Sequence, residues 1–344
     1  QMYRLIKYFF LYSSKWLGLF GLSRYLTRKG LRILAYHNFT SDDEIEWLPK
    51  LFIHTETLQK RLQTIKNQKF KVMDLSQATT SLYNGTLTDR TIVITIDDGW
   101  YNTMLHAHPL LTKMTFPYTI YLTSYYSMKQ NPVFNMAVNY MFWKTKKTQV
   151  QLDIPDLPFK GILHFSDTNE AKSLLDKITD HGNSIDEAER SSLCDKLGRL
   201  LDVSYPDLKD SRIANILTAE EIQELARKGV DIQLHTHRHR WHLNRKNAIQ
   251  EIKDNKEFIA PLTEKQPCHF CYPSGIWYKE QFPWLEEENI KTATTCNPGL
   301  NYRHTPRFML HRILDSEDLS QLEFEAEISG FMTFLRKFKK LDHS

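Results

Sequence analysis

The chain has 344 residues, of which 41% are hydrophobic and 25% charged, the composition of a folded soluble protein able to bury a large core in one sizeable domain or two ordinary ones. Its 45 basic and 41 acidic residues leave a formal charge of +4, too balanced to imply nucleic-acid binding without a concentrated basic patch. Four cysteines are too few for a disulfide scaffold, and Cys268 with Cys271, though spaced C-x2-C, has no second pair to complete a zinc site, so part-buried thiols are expected.

The first stretch, "YRLIKYFFLYSSKWLGLFGLSRYLTRKG", mixes Phe, Leu and Trp with Lys7, Lys15, Arg24, Arg28 and Lys29. The lysines interrupt its apolar runs, so neither a cleavable signal peptide nor a spanning helix is expected, and Gln1 before Met2 carries no processing information. An amphipathic arm over residues 1–29 is read in two ways, as a helix packed on the body or as a peripheral membrane contact. The C-terminal "GFMTFLRKFKK" repeats the apolar and basic mixture.

"LRILAYH" then reads as a strand with His37 at its end, and "HTETLQKRLQTIKNQ" as a helix. "TIVITIDD" is a second strand, "NTMLHAHPLLTKM" a helix and "PYTIYLTS" a third strand. This alternation predicts a parallel sheet or barrel with helices outside, where ligands gather at the carboxyl ends of the strands. Residues 130–215 are polar and mainly helical, and read as an insertion or cap. "TAEEIQELARKG" predicts a helix from a Thr218 cap to a Gly229 stop, followed by "VDIQLHTH" as a strand ending in histidines. "HFCYP", "TATT" and "MLHRIL" are later strand candidates, and "LEFEAEISGFMTFLRKF" is expected to close the chain as one helix. No glycine-rich phosphate loop is evident, so a nucleotide-binding enzyme has little support.

Two strand ends concentrate chemistry. Asp97 and Asp98 finish "TIVITIDDGW", and His235, His237, His239 and His242 crowd "HTHRHRWH". His235 and His239, four apart, reach one ion from a compact turn, and one aspartate completes a facial site with positions left for water and substrate. A divalent metal there lowers the pKa of water and polarises a carbonyl, while the other carboxylate accepts the water's proton. The pair of motifs favours a metal-dependent hydrolase over a binding module.

Taken in order, "ILAYHNF", "ITIDDGW", "HTHRH", "FCYPSG" and "LHRIL" resemble the motifs of the polysaccharide deacetylase, or NodB-homology, family of carbohydrate esterases, over roughly residues 30–318. The resemblance implies an α/β fold, a distorted (β/α) barrel of seven strands, within a catalytic domain of residues 30–344 that includes the helical insertion. It implies Asp97 as base and Asp98, His235 and His239 as ligands of a divalent cation, commonly zinc, other transition metals being the alternative. His237 is expected to be a neighbour. Tyr272 lies where the family often supplies an oxyanion donor, with its backbone N–H the better candidate than the phenol. Two positions depart from the family pattern: Cys271 stands where an arginine usually orients the base, with Arg312 the expected replacement, and His311 matches the late histidine acid only superficially. His37 is a further candidate.

The implied function is hydrolysis of an N-acetyl or N-formyl group on an amino sugar, in a polysaccharide, oligosaccharide or lipid-linked sugar. An O-deacetylase, or a carbohydrate-binding protein with a degenerate fold, is the alternative. The expected location is cytoplasmic, or peripheral on the cytoplasmic face of the membrane.

Overall fold

The computed structural model describes residues 2–155, 157–165 and 168–341; Gln1 lies outside them. It divides into two units, residues 1–125 with 219–344, and residues 126–218.

The first unit is a barrel. Its strands are β1 (Arg32–Tyr36), β2 (Thr91–Asp98), β3 (Thr119–Leu122), β4 (Asp231–Leu234), β5 (His269–Cys271), β6 (Thr292–Pro298) and β7 (Leu310–Leu314). Each pairs in parallel with the next, and β7 with β1 closes the ring. The alternation with helices is as the strand and helix patterns predict, and the seven strands are as the family resemblance implies. The strands are buried on both faces, as β-branched runs such as "TIVITI" require when helices cover the outside. A two-residue strand, Lys71–Val72, pairs with the start of β2, and Asn38–Thr40 with Phe52–His54 makes a small parallel pair; neither has enough residues for a periodic signal.

The helices that bear on the argument are α1 (Met2–Trp16), α2 (Leu19–Leu26), α3 (Thr55–Asn67), α4 (Leu75–Asn84), α5 (Ala219–Arg227), α6 (Arg245–Thr263), α7 (Gln321–Ile328) and α8 (Phe331–Leu341). The expected single closing helix is in fact α7 and α8. Gly330 breaks it with φ +83°, and a Cβ there would lie 2.5 Å from the Thr27 hydroxyl, so glycine serves both the turn and the close approach. The N-terminal stretch is likewise two helices, parted at Gly18 with φ +78°. Leu11 and Phe20 pack with Leu322, Ala326 and Phe331 in a small cluster of their own.

The second unit carries helices Phe134–Lys144, Thr168–Gly182, Glu187–Leu201 and Tyr205–Ser211 around Val138, Met141, Leu193 and Leu197. It also holds an antiparallel hairpin, Gln149–Leu152 with Gly161–His164, that the polar helical reading missed. Val150 and Leu152 alternate inward in its first strand, a pattern too short to stand out from the sequence.

Candidate metal centre and catalytic site

β2 carries Asp97 inward, on the same face as Thr95, by the two-residue period of a strand. Asp98 would then point outward, but its φ is +68° and the Gly99 N–H donates back to the Asp97 carbonyl at 2.8 Å. This three-residue turn ends the strand and brings both carboxylates to one place. Gly99 follows with φ +86°, and a Cβ on it would fall 2.3 Å from Leu122 Cδ1.

The histidine loop leaves β4 in equally unusual backbone, Thr236 at φ +66° and His239 at +54°. Such values in non-glycine residues cost energy and persist where surrounding contacts enforce them. Here the contacts come from α6. Buried Asn255 accepts from the His235 N–H at 3.0 Å and donates to the Leu122 carbonyl at 3.1 Å and Ser124 Oγ at 2.9 Å. Glu251 accepts from the Arg238 N–H at 2.7 Å, while its carbonyl accepts from the His237 N–H at 3.2 Å.

Asp98, His235 and His239 form a compact donor set, with their ligand atoms all within 4.8 Å of one another. Asp98 Oδ1 lies 3.2 Å from His235 Nε2 and 3.4 Å from His239 Nε2. His235 Nδ1 is 2.8 Å from the Cys271 carbonyl, which can only accept, so Nδ1 carries a hydrogen and Nε2 is the ring atom turned to Asp98. Asp98 Oδ2 accepts from Trp100 Nε1 at 2.8 Å, while buried Oδ1 has no hydrogen-bond donor. A buried carboxylate oxygen left without a donor beside two imidazoles fits a divalent cation. Of the other histidines, His237 is turned to Ser124 Oγ at 2.8 Å and packs edge-on to Tyr125, a neighbour of this set and outside it.

Asp97 is held from the other side. Arg312 donates to Oδ1 at 2.7 Å and Oδ2 at 2.8 Å in a bidentate pair, and its Nε donates to the Thr295 carbonyl at 2.9 Å. The β6 register shifts between Thr294 and Pro298, an irregularity that presents that carbonyl to the guanidinium. Burial pushes the Asp97 carboxyl up, but Arg312, with His37 behind it, outweighs burial and holds it below the ordinary carboxylate range. Burial lowers Arg312, and Asp97 more than reverses this, so the guanidinium stays charged. His37 Nε2 stands 3.5 Å from Asp97 Oδ2, and the Cys271 thiol is 3.7 Å from the same oxygen. Asp97, His235 and Cys271 thus make a second close donor group, but Arg312 already occupies both Asp97 oxygens.

Two expected residues are placed away from the Asp97 carboxylate. His311 neighbours Arg312 on β7, and since Arg312 faces the barrel interior, strand alternation turns His311 to the other face, where it lies beside Gly299. Tyr272 is fully buried, its N–H donating to the Thr294 carbonyl at 3.2 Å and its phenol to the Phe308 carbonyl at 3.1 Å. Strand pairing has claimed the donor expected to face an oxyanion. Conversely, Trp100, Asn255, Glu251 and Ser124 support the site without a sequence signal beyond the aromatic that closes "IDDGW". All four cysteines are free.

A seven-stranded parallel barrel with a compact Asp/His donor set at its strand ends defines an α/β barrel with a candidate metal site. The polysaccharide deacetylase family model matches residues 197–292, which span the histidine and proline motifs. Over those residues the chain is similar to the polysaccharide deacetylase family. The Bacillus subtilis (strain 168) protein YxkH, whose name places it among polysaccharide deacetylases, is 28% identical over 116 residues. That match spans 33% of this chain and 42% of YxkH, less than half of the relative's length. Among solved structures, Streptococcus pyogenes deacetylase PplD in complex with acetate shares the fold at TM-score 0.58 and 15% identity, over 87% of this chain and 98% of that one. A de-N-acetylase from Aggregatibacter actinomycetemcomitans follows at TM-score 0.55 and 13% identity, over 86% of this chain and 98% of that one. IcaB from Ammonifex degensii aligns at TM-score 0.54 and 14% identity, over 87% and 97%. At these identities the structures speak for the fold.

Proposed function

We propose that the protein is a metal-dependent carbohydrate deacetylase that hydrolyses the N-acetyl, or N-formyl, group of an amino sugar in a glycan or lipid-linked sugar. The observation that carries this reading is the division of the aspartate pair: Asp98 offers a donor-less oxygen to two imidazoles, while Asp97 is clamped by Arg312. Asp98, His235 and His239 would hold the cation, zinc being the best match to one carboxylate and two imidazoles. When bound, it supplies Lewis acidity to the acyl oxygen and acidity to a water.

The chain's own residues do the rest. Arg312 fixes the Asp97 plane and keeps the carboxylate ionised, so that a lone pair not used by the guanidinium takes the proton of the attacking water. Amide hydrolysis then requires a proton on the departing amine. Protonated Asp97, together with His37 at 3.5 Å, is the group assigned to deliver it. The names of the structures sharing the fold, two of them deacetylases and one holding acetate, support the same reaction class.

The test combines metal content with acyl release from matched N-acetyl and O-acetyl glycans, including a lipid-linked amino sugar. Near-stoichiometric metal, with acetate released from the N-acetyl members and lost on chelation, is the expected result. A metal-loaded protein that binds glycans yet releases no acyl group would refute it, and release from O-acetyl members alone would make it an esterase.

A further inference from the structure

Helix α1 turns two lysines toward the protein and most of its large apolar side chains outward. Lys7 and Lys15 of α1 pair with Glu323 and Glu325 of α7 at 2.5 and 2.6 Å, and Leu11 and Ser14 between them are buried. These positions form one strip of the helix, the side that meets the protein. The opposite strip is Leu5, Phe9, Tyr12 and Trp16, spaced four, three and four apart and exposed by 69, 76, 66 and 81%. α2 does the same, burying Phe20 and Ser23 while Leu22, Tyr25 and Leu26 stay exposed. A helix on the surface of a soluble domain turns its apolar stripe to the core and its lysines to water. Here an apolar surface continuous over two helices has no cover among the described residues, and scattered exposure does not account for it.

Charge identifies what covers it. Residues 1–30 contain six basic side chains and no acidic one. Lys7 and Lys15 are answered by Glu323 and Glu325, Arg28 and Lys29 share Asp89, and Arg24 donates to the neutral Gln68. With Arg4 counted, the six basic groups of this segment meet three carboxylates, so the two helices and the turn after them keep a net positive charge. A second copy meeting it through the same face would oppose two such surpluses. An anionic bilayer complements both features, with basic groups at the phosphates, Trp and Tyr rings at the headgroup level and Phe and Leu below them. No helix among the described residues is long and apolar enough to cross a membrane, so these helices would lie in its plane.

We propose that α1 and α2 form a docking face for the interface of an anionic lipid bilayer, with Phe9 and Trp16 inserted; this does not depend on the deacetylase reading. The full chain is to be floated with phosphatidylcholine vesicles and with vesicles containing phosphatidylglycerol, at low and raised salt. It should float with the anionic vesicles, less at raised salt, and the Phe9→Ser/Trp16→Ser double variant should lose roughly tenfold or more of this partitioning. Both positions are exposed, so lipid-free circular dichroism and melting should match the parent. Arg4→Glu, made separately, should reduce flotation with the anionic vesicles alone. The proposal is overturned if the parent stays soluble with both vesicle types, or if the double variant floats as well as the parent. It is equally overturned by a lipid-free dimer that the double variant dissociates, which would give the face to a second copy.

Discussion

Asp97 and Asp98 are adjacent, of one residue type and both buried, and only their partners distinguish them. Asp98 has an indole N–H on one oxygen and two imidazole nitrogens around the other; Asp97 has a guanidinium across both. Asp98→Ala should therefore cut zinc occupancy, measured by metal analysis after dialysis, whereas Asp97→Asn should leave occupancy close to the parent and abolish turnover. Equal metal loss in the two would defeat the division of roles. Arg312 extends the same logic at a distance from the metal. Arg312→Gln leaves a buried carboxylate without its cation and should lower kcat by about a hundredfold or more, with metal occupancy retained. Arg312→Lys keeps the charge but loses the bidentate fork, so partial recovery of kcat would separate charge from orientation. Unchanged turnover in Arg312→Gln would show that Asp97 needs neither.

At the scale of elements, the site is two strand ends whose backbones have been bent out of their ordinary conformations, and each bend needs its own support. Gly99→Ala places a methyl against Leu122 and forces a side chain into φ +86°; a loss of about 2–4 kcal/mol in urea unfolding is expected, and a loss below ~0.5 kcal/mol would mean that the turn relaxes freely. The histidine loop depends on α6 instead. Asn255→Ala deletes three buried hydrogen bonds, so His235 and His239 should hold zinc about 10–100-fold less tightly by competition titration, although neither ligand has been changed. How much of this the sequence discloses follows from the range of each signal. Asp97, Asp98, His235 and His239 sit in compact motifs at the ends of periodic strands, and Arg312 stands out because Cys271 occupies the usual arginine position. Asn255 lies twenty residues after His235 on a helix whose pattern would accept any polar residue there, and only tertiary contact gives it a role. For His311 the two signals diverge: a motif match located it, and the period of β7 that turns Arg312 inward turns His311 to the other face.

For the whole molecule, the barrel has a polar floor opposite in character to the apolar packing that surrounds it. Thr119 donates to Asp231, Gln233 links Asp231 to the N–H groups of Cys268 and His269, and His269 sits between Ser76 Oγ at 2.8 Å and Thr292 Oγ1 at 2.7 Å. These bonds tie β3, β4, β5, β6 and α4 together, so the floor reports on the integrity of the barrel as a unit. Burial, reinforced by Lys291, lowers the His269 pKa to about 4, so the folded barrel holds it neutral. A histidine whose folded pKa lies below its unfolded value contributes stability that is fully present above pH ~6.5 and is lost as pH falls toward 4, because the unfolded chain takes up the proton first. Between pH 7 and pH 4.5 this single group should cost the parent roughly 2–3 kcal/mol. His269→Gln retains polar contacts to the two hydroxyls and removes the titration, so its stability should fall less over the same interval, although it starts lower at pH 7. Burial raises the neighbouring Asp231, which favours the folded state as acid is added, so the comparison must be made between the two proteins and not on the parent's slope alone. Urea midpoints at the two pH values supply it: parallel losses in parent and variant would show that His269 is charged or solvated in the folded barrel.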